Sequence, residues 1–386
     1  MQYRAAGFRS LILSRKNWVI GFVLLIACNA LGGILSDSGE RVIWKVALKG
    51  ETAPAFDDSL VFFGAKDHLI VAVEKNSGTI RWQSKTDGPL AQISGFNVIV
   101  AGNTVVVPDD LLYGLDRKSG ARKWVFKPES GFLPGLFLLE TDGNRVYAGS
   151  PSGYAYAVDG ETGKQIWASN VTGQEKSSVY HPVYDNGVVA VSIRRFTTNP
   201  VSGGVALLDA STGNIIWQRD FLPERAGQPS GSEAKPVFFQ NLVIASSDDG
   251  RIFGLNRTTG EIVWIAPSRS DLSSLGDIRP IVLSGSTVVV GSTARFLTGL
   301  DARTGLRKWD TSIGQSSLTN WLSADNGTAY TTDLGLVLVS VDAESGRLNW
   351  SEPSNNDKSV LYILYPAIDK DRLYASATTG LYALKK

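Results

Sequence analysis

Two histidines, His68 and His181, and one cysteine, Cys28, are the only imidazole and thiol groups in a chain of 386 residues. A structural or catalytic zinc takes three or four His, Cys, Asp or Glu ligands converging on one point. His68 and His181 fall in different units of the chain's internal repeat, so a three-histidine centre is excluded. A nucleophile elbow (G-x-S-x-G), an H-E-x-x-H pair, a G-x-G-x-x-G turn and a phosphate loop are all absent. The stretch SDDGR at 247–251 is too short for a calcium loop and reads as a hairpin turn. No metal, no cofactor and no catalytic residue is expected.

Cys28 has a different chemistry open to it. Four basic residues (Arg4, Arg9, Arg15 and Lys16) precede the apolar run WVIGFVLLIA at 18–27, the order of an export signal or an anchor. Leu25-Ile26-Ala27-Cys28 is similar to a bacterial lipobox, in which the peptidase cuts before a cysteine that carries lipid. The rival is a transmembrane anchor, since positions 18–35 are just long enough to span a bilayer. Both readings export the remainder of the chain, so residues 1–35 are expected to tether and 36–386 to fold outside the cytoplasm. A lone cysteine also rules out an intramolecular disulfide. Beyond position 28 the balance is 38 − 4 = 34 basic against 37 acidic residues, a net −3, which is no footprint for nucleic acid.

The elements that would carry any site are repeats. Seven segments share an apolar strand ending in an acid or amide, then Ser/Thr-Gly, then Trp four residues after the glycine. They end at Trp82, Trp124, Trp167, Trp217, Trp264, Trp309 and Trp350, spaced 42, 43, 50, 47, 45 and 41 residues apart. The acid or amide closes the turn through backbone N–H groups, and the glycine supplies the left-handed residue that ends it. Each tryptophan brings up to ~200 Å² of ring surface, suited to wedging between neighbouring units. Upstream of each motif lie two more strand-like runs, such as HPVYDNGVVAVS at 181–192 and KPVFFQNLVIAS at 235–246. Four strands at this period predict an all-β chain whose units are propeller blades.

The chain ends on a unit with three strands, YPAIDKDRLYASATTGLYALKK, and begins on the missing fourth, ERVIWKVAL, carrying Trp44. The N-terminal strand is therefore expected to complete the last blade and close an eight-bladed ring without an open edge. Insertions depart from the template at IRRFTTNPVSGG (193–204), read as a long projecting loop, and at 219–235 and 266–279. Insertions on one face of a repeat ring are the usual place for binding. His181 shares its blade position with Lys235, Arg279 and Tyr365, which reads as a polar ring lining the central channel.

The repeat A-x-D-x-x-T-G-x-x-x-W resembles that of the pyrroloquinoline-quinone (PQQ) propellers over residues 40–386. Within that superfamily the chain is most similar to the BamB family of outer-membrane assembly lipoproteins, in length, lipobox and the closing GLYALKK. The resemblance implies a non-enzymatic scaffold that binds the POTRA domains of a BamA-type β-barrel insertase. It also implies a partner segment at Ser274, Leu275, Asp277 and Arg279, where the family's second aspartate is replaced by Leu275. The family's Leu/Arg contact segment falls at 173–178, GQEKSS, and does not match. Two alternatives stand beside this reading. One is an exported interaction or sensing propeller. The other is a PQQ-dependent oxidoreductase, for which the chain lacks the second cysteine of the disulfide over the quinone.

Overall fold

The structure, a computed structural model, describes residues 41–87, 96–109, 111–128, 139–173, 176–223, 225–266, 278–292, 296–313, 318–325, 327–333, 337–353 and 366–386. The described strands form eight four-stranded antiparallel sheets, each built from consecutive strands except the last. These are the eight blades of a closed β-propeller. First strands of neighbouring blades meet at the centre, so the chain passes outward through each blade and returns to the axis.

Closure is as the repeat phase requires. Val42–Val46 pairs antiparallel with Gly380–Lys385, placing Trp44 opposite Ala383 and making the N-terminal strand the outermost of blade 8. Without it the backbone of Gly380–Lys385 would be an unpaired edge.

Side-chain alternation explains the layering. Second and third strands, such as Thr104–Pro108 and Leu112–Asp116, are apolar on both faces because a blade packs on each side of them. Outer strands, such as Gln165–Asn170, bury little beyond their tryptophan. The core is thus divided into eight apolar wedges, one per blade junction. At the closing junction Trp44, Val46, Tyr374 and Leu381 of blade 8 pack on Val61, Phe63 and Val71 of blade 1.

Antiparallel order sorts the connections into two faces. Turns between first and second strands, and between third and fourth, lie on one face, here called the turn face. Connections between second and third strands, and from blade to blade, lie on the other, the loop face. The insertion in blade 4 differs from its expected form. Most of it extends the hairpin, since Val188–Arg195 and Ser202–Asp209 have 8 residues each where other blades have 5 or 6. The pairing runs to Arg195↔Ser202, leaving only 196–201 as the tip. Gly203 and Gly204 permit this, because a Cβ at either would stand 2.0 Å from a neighbouring carbonyl oxygen.

Candidate functional site

On the turn face every repeat does the same thing. In blade 2, Asp116 accepts from the Ser119 amide at 2.9 Å and from its hydroxyl at 2.8 Å, while Gly120 N–H donates to the Asp116 carbonyl at 2.8 Å. The Trp82 ring of blade 1 lies on that glycine, and its indole N–H donates to Arg117 O at 3.0 Å. The same geometry joins Trp44 to Gly78, Trp124 to Gly163 and Trp167 to Gly213. It also joins Trp217 to Gly260 and Trp309 to Gly346. Trp264 stacks on Gly305, but its indole nitrogen has no acceptor among the described residues. Trp350 faces the closing blade, where the Arg41 guanidinium lies 4.4 Å above its ring. The eight tryptophans are structural rivets.

The loop face is individual, and its most elaborate part lies on blades 4 and 5. The long hairpin of blade 4 carries Arg194 and Arg195 to its tip. Arg194 pairs with two carboxylates of blade 5 and its lead segment: Glu233, and Asp248 at 3.0 Å. Its guanidinium also stands 5.5 Å from the ring of Phe196, which is 46% exposed. Arg195 is buried on Asp220 at 3.0 Å. Arg251 pairs with Asp249 at 2.6 Å and donates to the Leu222 carbonyl, leaving the Leu222 side chain 80% exposed. Beneath it Phe221 and Phe253 stack at 4.1 Å.

The segment leading into blade 5 is stitched to this hairpin. Ser230 N–H donates to Val201 O at 2.8 Å, Ser232 N–H to Ile193 O at 3.0 Å, and Ser192 Oγ to Ala234 O at 2.6 Å. The result is a cross-braced platform on which Phe196 and Leu222 stand exposed. Three guanidinium groups meet four carboxylates there, a local net −1. Paired and braced in this way, the charges hold the blade-4 hairpin against the segment leading into blade 5.

Two of the channel positions, Lys235 and His181, are described with their side chains. Lys235 Nζ meets Glu140 Oε2 at 2.9 Å, linking blades 5 and 3 past the inner strand of blade 4. His181 stands nearby, its Nδ1 buried and without a hydrogen-bond partner among the described residues. Burial, with the Lys235 charge second, pushes its pKa down to about 3, so the ring is neutral at ordinary pH. Among the described residues no group of three or more His, Cys, Asp or Glu is arranged to hold a metal.

Cys28, Ser274, Leu275, Asp277 and Tyr365 lie outside the described residues; Arg279 lies within the strand Ile278–Ser284, and its side chain is outside the described set. Sequence reasoning points to the insertions around blade 4 but does not single out Arg194, Glu233 or Asp248. The available signal is the double arginine inside an insertion followed by SEAK before the next blade.

Comparison with known proteins decides the family. A family profile described as outer membrane protein assembly factor BamB matches residues 33–202 and 177–328, about three quarters of the chain. The chain belongs to the BamB family. It is 25% identical over 287 residues to the BamB of Moranella endobia (strain PCIT), covering 70% of this chain and 69% of that one. It is 28% identical over 221 residues to the BamB of Yersinia pestis, covering 55% of this chain and 52% of the relative. The crystal structure of BamB from Moraxella catarrhalis superposes with TM-score 0.66 at 18% identity, over 89% of this chain and 96% of that one. Quinohemoprotein alcohol dehydrogenase from Comamonas testosteroni shares the propeller at TM-score 0.66 and 12% identity, over 89% of this chain and 76% of that one. At such identities the structures speak for the fold, while the profile speaks for BamB.

Proposed function

We propose that this chain is a non-enzymatic scaffold that supports outer-membrane β-barrel assembly; its BamB relatives are named outer membrane protein assembly factors. It would be held at the membrane outside the cytoplasm by its N-terminal segment, through lipid on Cys28. The observation that carries the reading is the platform on blades 4 and 5. Exposed Phe196 and Leu222 stand on paired arginines and carboxylates, an arrangement suited to a protein surface with apolar pockets and a polar rim. Both ends of the propeller support the orientation. Arg41 begins the outer strand of blade 8 on the turn face and donates to Lys386 O, so a tether joined there would leave the loop face turned away from it. The partner in this reading is a BamA-type insertase, engaged through its POTRA domains.

The test is calorimetric titration of the purified chain with the POTRA domains of the same organism's insertase. Phe196→Ala with Leu222→Ala is expected to weaken binding ~10-fold or more while leaving the melting temperature unchanged. Wild-type affinity in that double variant would defeat the assignment of this surface. Saturable micromolar binding of pyrroloquinoline quinone, with dye-linked alcohol oxidation, would instead favour the oxidoreductase class.

A further inference from the structure

We propose that the outer strand of blade 5, Ile262–Ala266, is a docking edge for an extended, alternately apolar segment of another polypeptide, added to the blade by backbone hydrogen bonding. Among the described residues, each of the eight blades ends in an outer strand whose far side pairs with no other strand. Such edges invite pairing with foreign strands, and proteins commonly blunt them with charged side chains. Seven of the eight outer strands carry at least one charged or amide side chain, as in IRWQSK of blade 1 and RKWDTS of blade 6. Blade 5 reads IVWIA and carries none. Ile262, Val263 and Ile265 stand 43%, 56% and 43% exposed. The outer strand of blade 4 continues the apolar rim with Ile215 and Ile216, 40% and 48% exposed.

The backbone decides what kind of occupant fits. A helix or a globular surface placed on this edge would leave its N–H and C=O groups without partners. An extended strand satisfies them and sets apolar side chains against Val263 and Ile265, the mode known as strand addition. A second copy of this chain is a poor fit. Two five-residue edges would meet along only ~17 Å and, across a layer ~10 Å thick, would cover only a few hundred Å², short of the ~1,200 Å² that stable interfaces bury. The occupant is therefore a transiently bound, unfolded or extended segment. This inference uses the rim and not the loop face, so it stands or falls separately from the insertase as partner.

The probe is a fluorescent peptide of about ten residues alternating valine with lysine or threonine, titrated into the full chain and followed by anisotropy. Saturable binding is expected, together with slowed amide exchange at 262–266. Val263→Lys with Ile265→Lys is expected to weaken it ~10-fold or more at unchanged melting temperature, because both side chains are already solvent-facing. The Phe196→Ala and Leu222→Ala variant is expected to bind the peptide as wild type does. A peptide that fails to saturate, equal affinity in the lysine variant, or protection away from 262–266 would overturn the proposal. So would a dimer of the wild-type chain that the lysine substitutions dissolve, since the edge would then belong to a second copy.

Discussion

On the turn face, seven hairpins place a glycine at φ between +69° and +74° directly under the tryptophan of the preceding blade. On the loop face no comparable rule holds: blade 4 sends out a hairpin of two eight-residue strands, while blade 5 joins Leu242–Ser246 to Ile252–Asn256 through a short turn. Repetition is concentrated where the ring must hold together, because each rivet has the same task. Individuality is concentrated where nothing in the ring constrains the chain, which leaves that surface free to acquire a partner. The same contrast separates two uses of charge. Turn-face carboxylates cap their own hairpins, whereas Arg194 joins groups 39 and 54 residues away in sequence.

The comparison can be broken first at ring closure. A chain beginning at Lys49 loses Trp44 and the partner of Gly380–Lys385. It is expected to lose its cooperative melting transition and to aggregate through the exposed edge, as read by calorimetry and light scattering. Retention of the melting profile of a chain starting at Ser36 would show that the strand closes nothing.

Single rivets come next. Trp124→Ala or Trp167→Ala is expected to cost ~3–5 kcal/mol in urea unfolding, the range for a large buried aromatic. A loss under ~1 kcal/mol would mean that the junction is held by its aliphatic residues instead.

A matched glycine pair sharpens the contrast between the faces. Gly213, at φ +74°, would set a Cβ 2.6 Å from the Trp167 ring, whereas Gly227, at φ +87° on the loop face, meets nothing within 4 Å. Alanine at Gly227 is expected to cost only the left-handed backbone, ~1–2 kcal/mol, and alanine at Gly213 distinctly more. Equal costs would show that the close fit of ring on turn is not stabilising.

Acid gives the smallest effect. Bonds from Ser211, and then from Thr212, hold the Asp209 carboxyl at about 2 against an ordinary 3.8. Asp116, Asp159 and Asp342 are lowered too, chiefly by Ser119, Thr162 and Ser345. A folded-state pKa below the unfolded one contributes stability that is complete above about pH 4 and lost as pH falls toward 2. Blade 5 has Asn256 at this position, whose Oδ1 accepts the Thr258 and Thr259 amides at 2.8 and 3.0 Å without a titrating proton. Asp209→Asn is therefore expected to flatten part of the melting-temperature decline between pH 4 and 2; an unchanged slope would refute the linkage.

Much of this architecture is legible in the sequence because its determinants are local. Asp, Ser or Thr, Gly and Trp lie within nine residues of each other, and one such motif specifies a turn and its rivet. The split blade is legible because a strand without its hairpin has only one vacancy to fill. The blade-4 insertion reads as a loop in sequence, since its TTNP stretch carries turn signals, while the hairpin extension depends on close backbone approach at Gly203 and Gly204. The platform is not legible because no local pattern pairs Arg194 with Glu233 and Asp248; the ring's curvature brings them together.

In the proposed reading the repeated face holds the ring and the irregular face binds. Amide hydrogen exchange of the full chain, with and without the insertase POTRA domains, tests it most directly. Slowed exchange is expected at the blade-4 hairpin tip and the residues flanking it, 194–202, and in the segment 220–236, with the seven turn-face hairpins unchanged. Protection on the turn-face hairpins, with 194–202 and 220–236 exchanging as in the free chain, would contradict it.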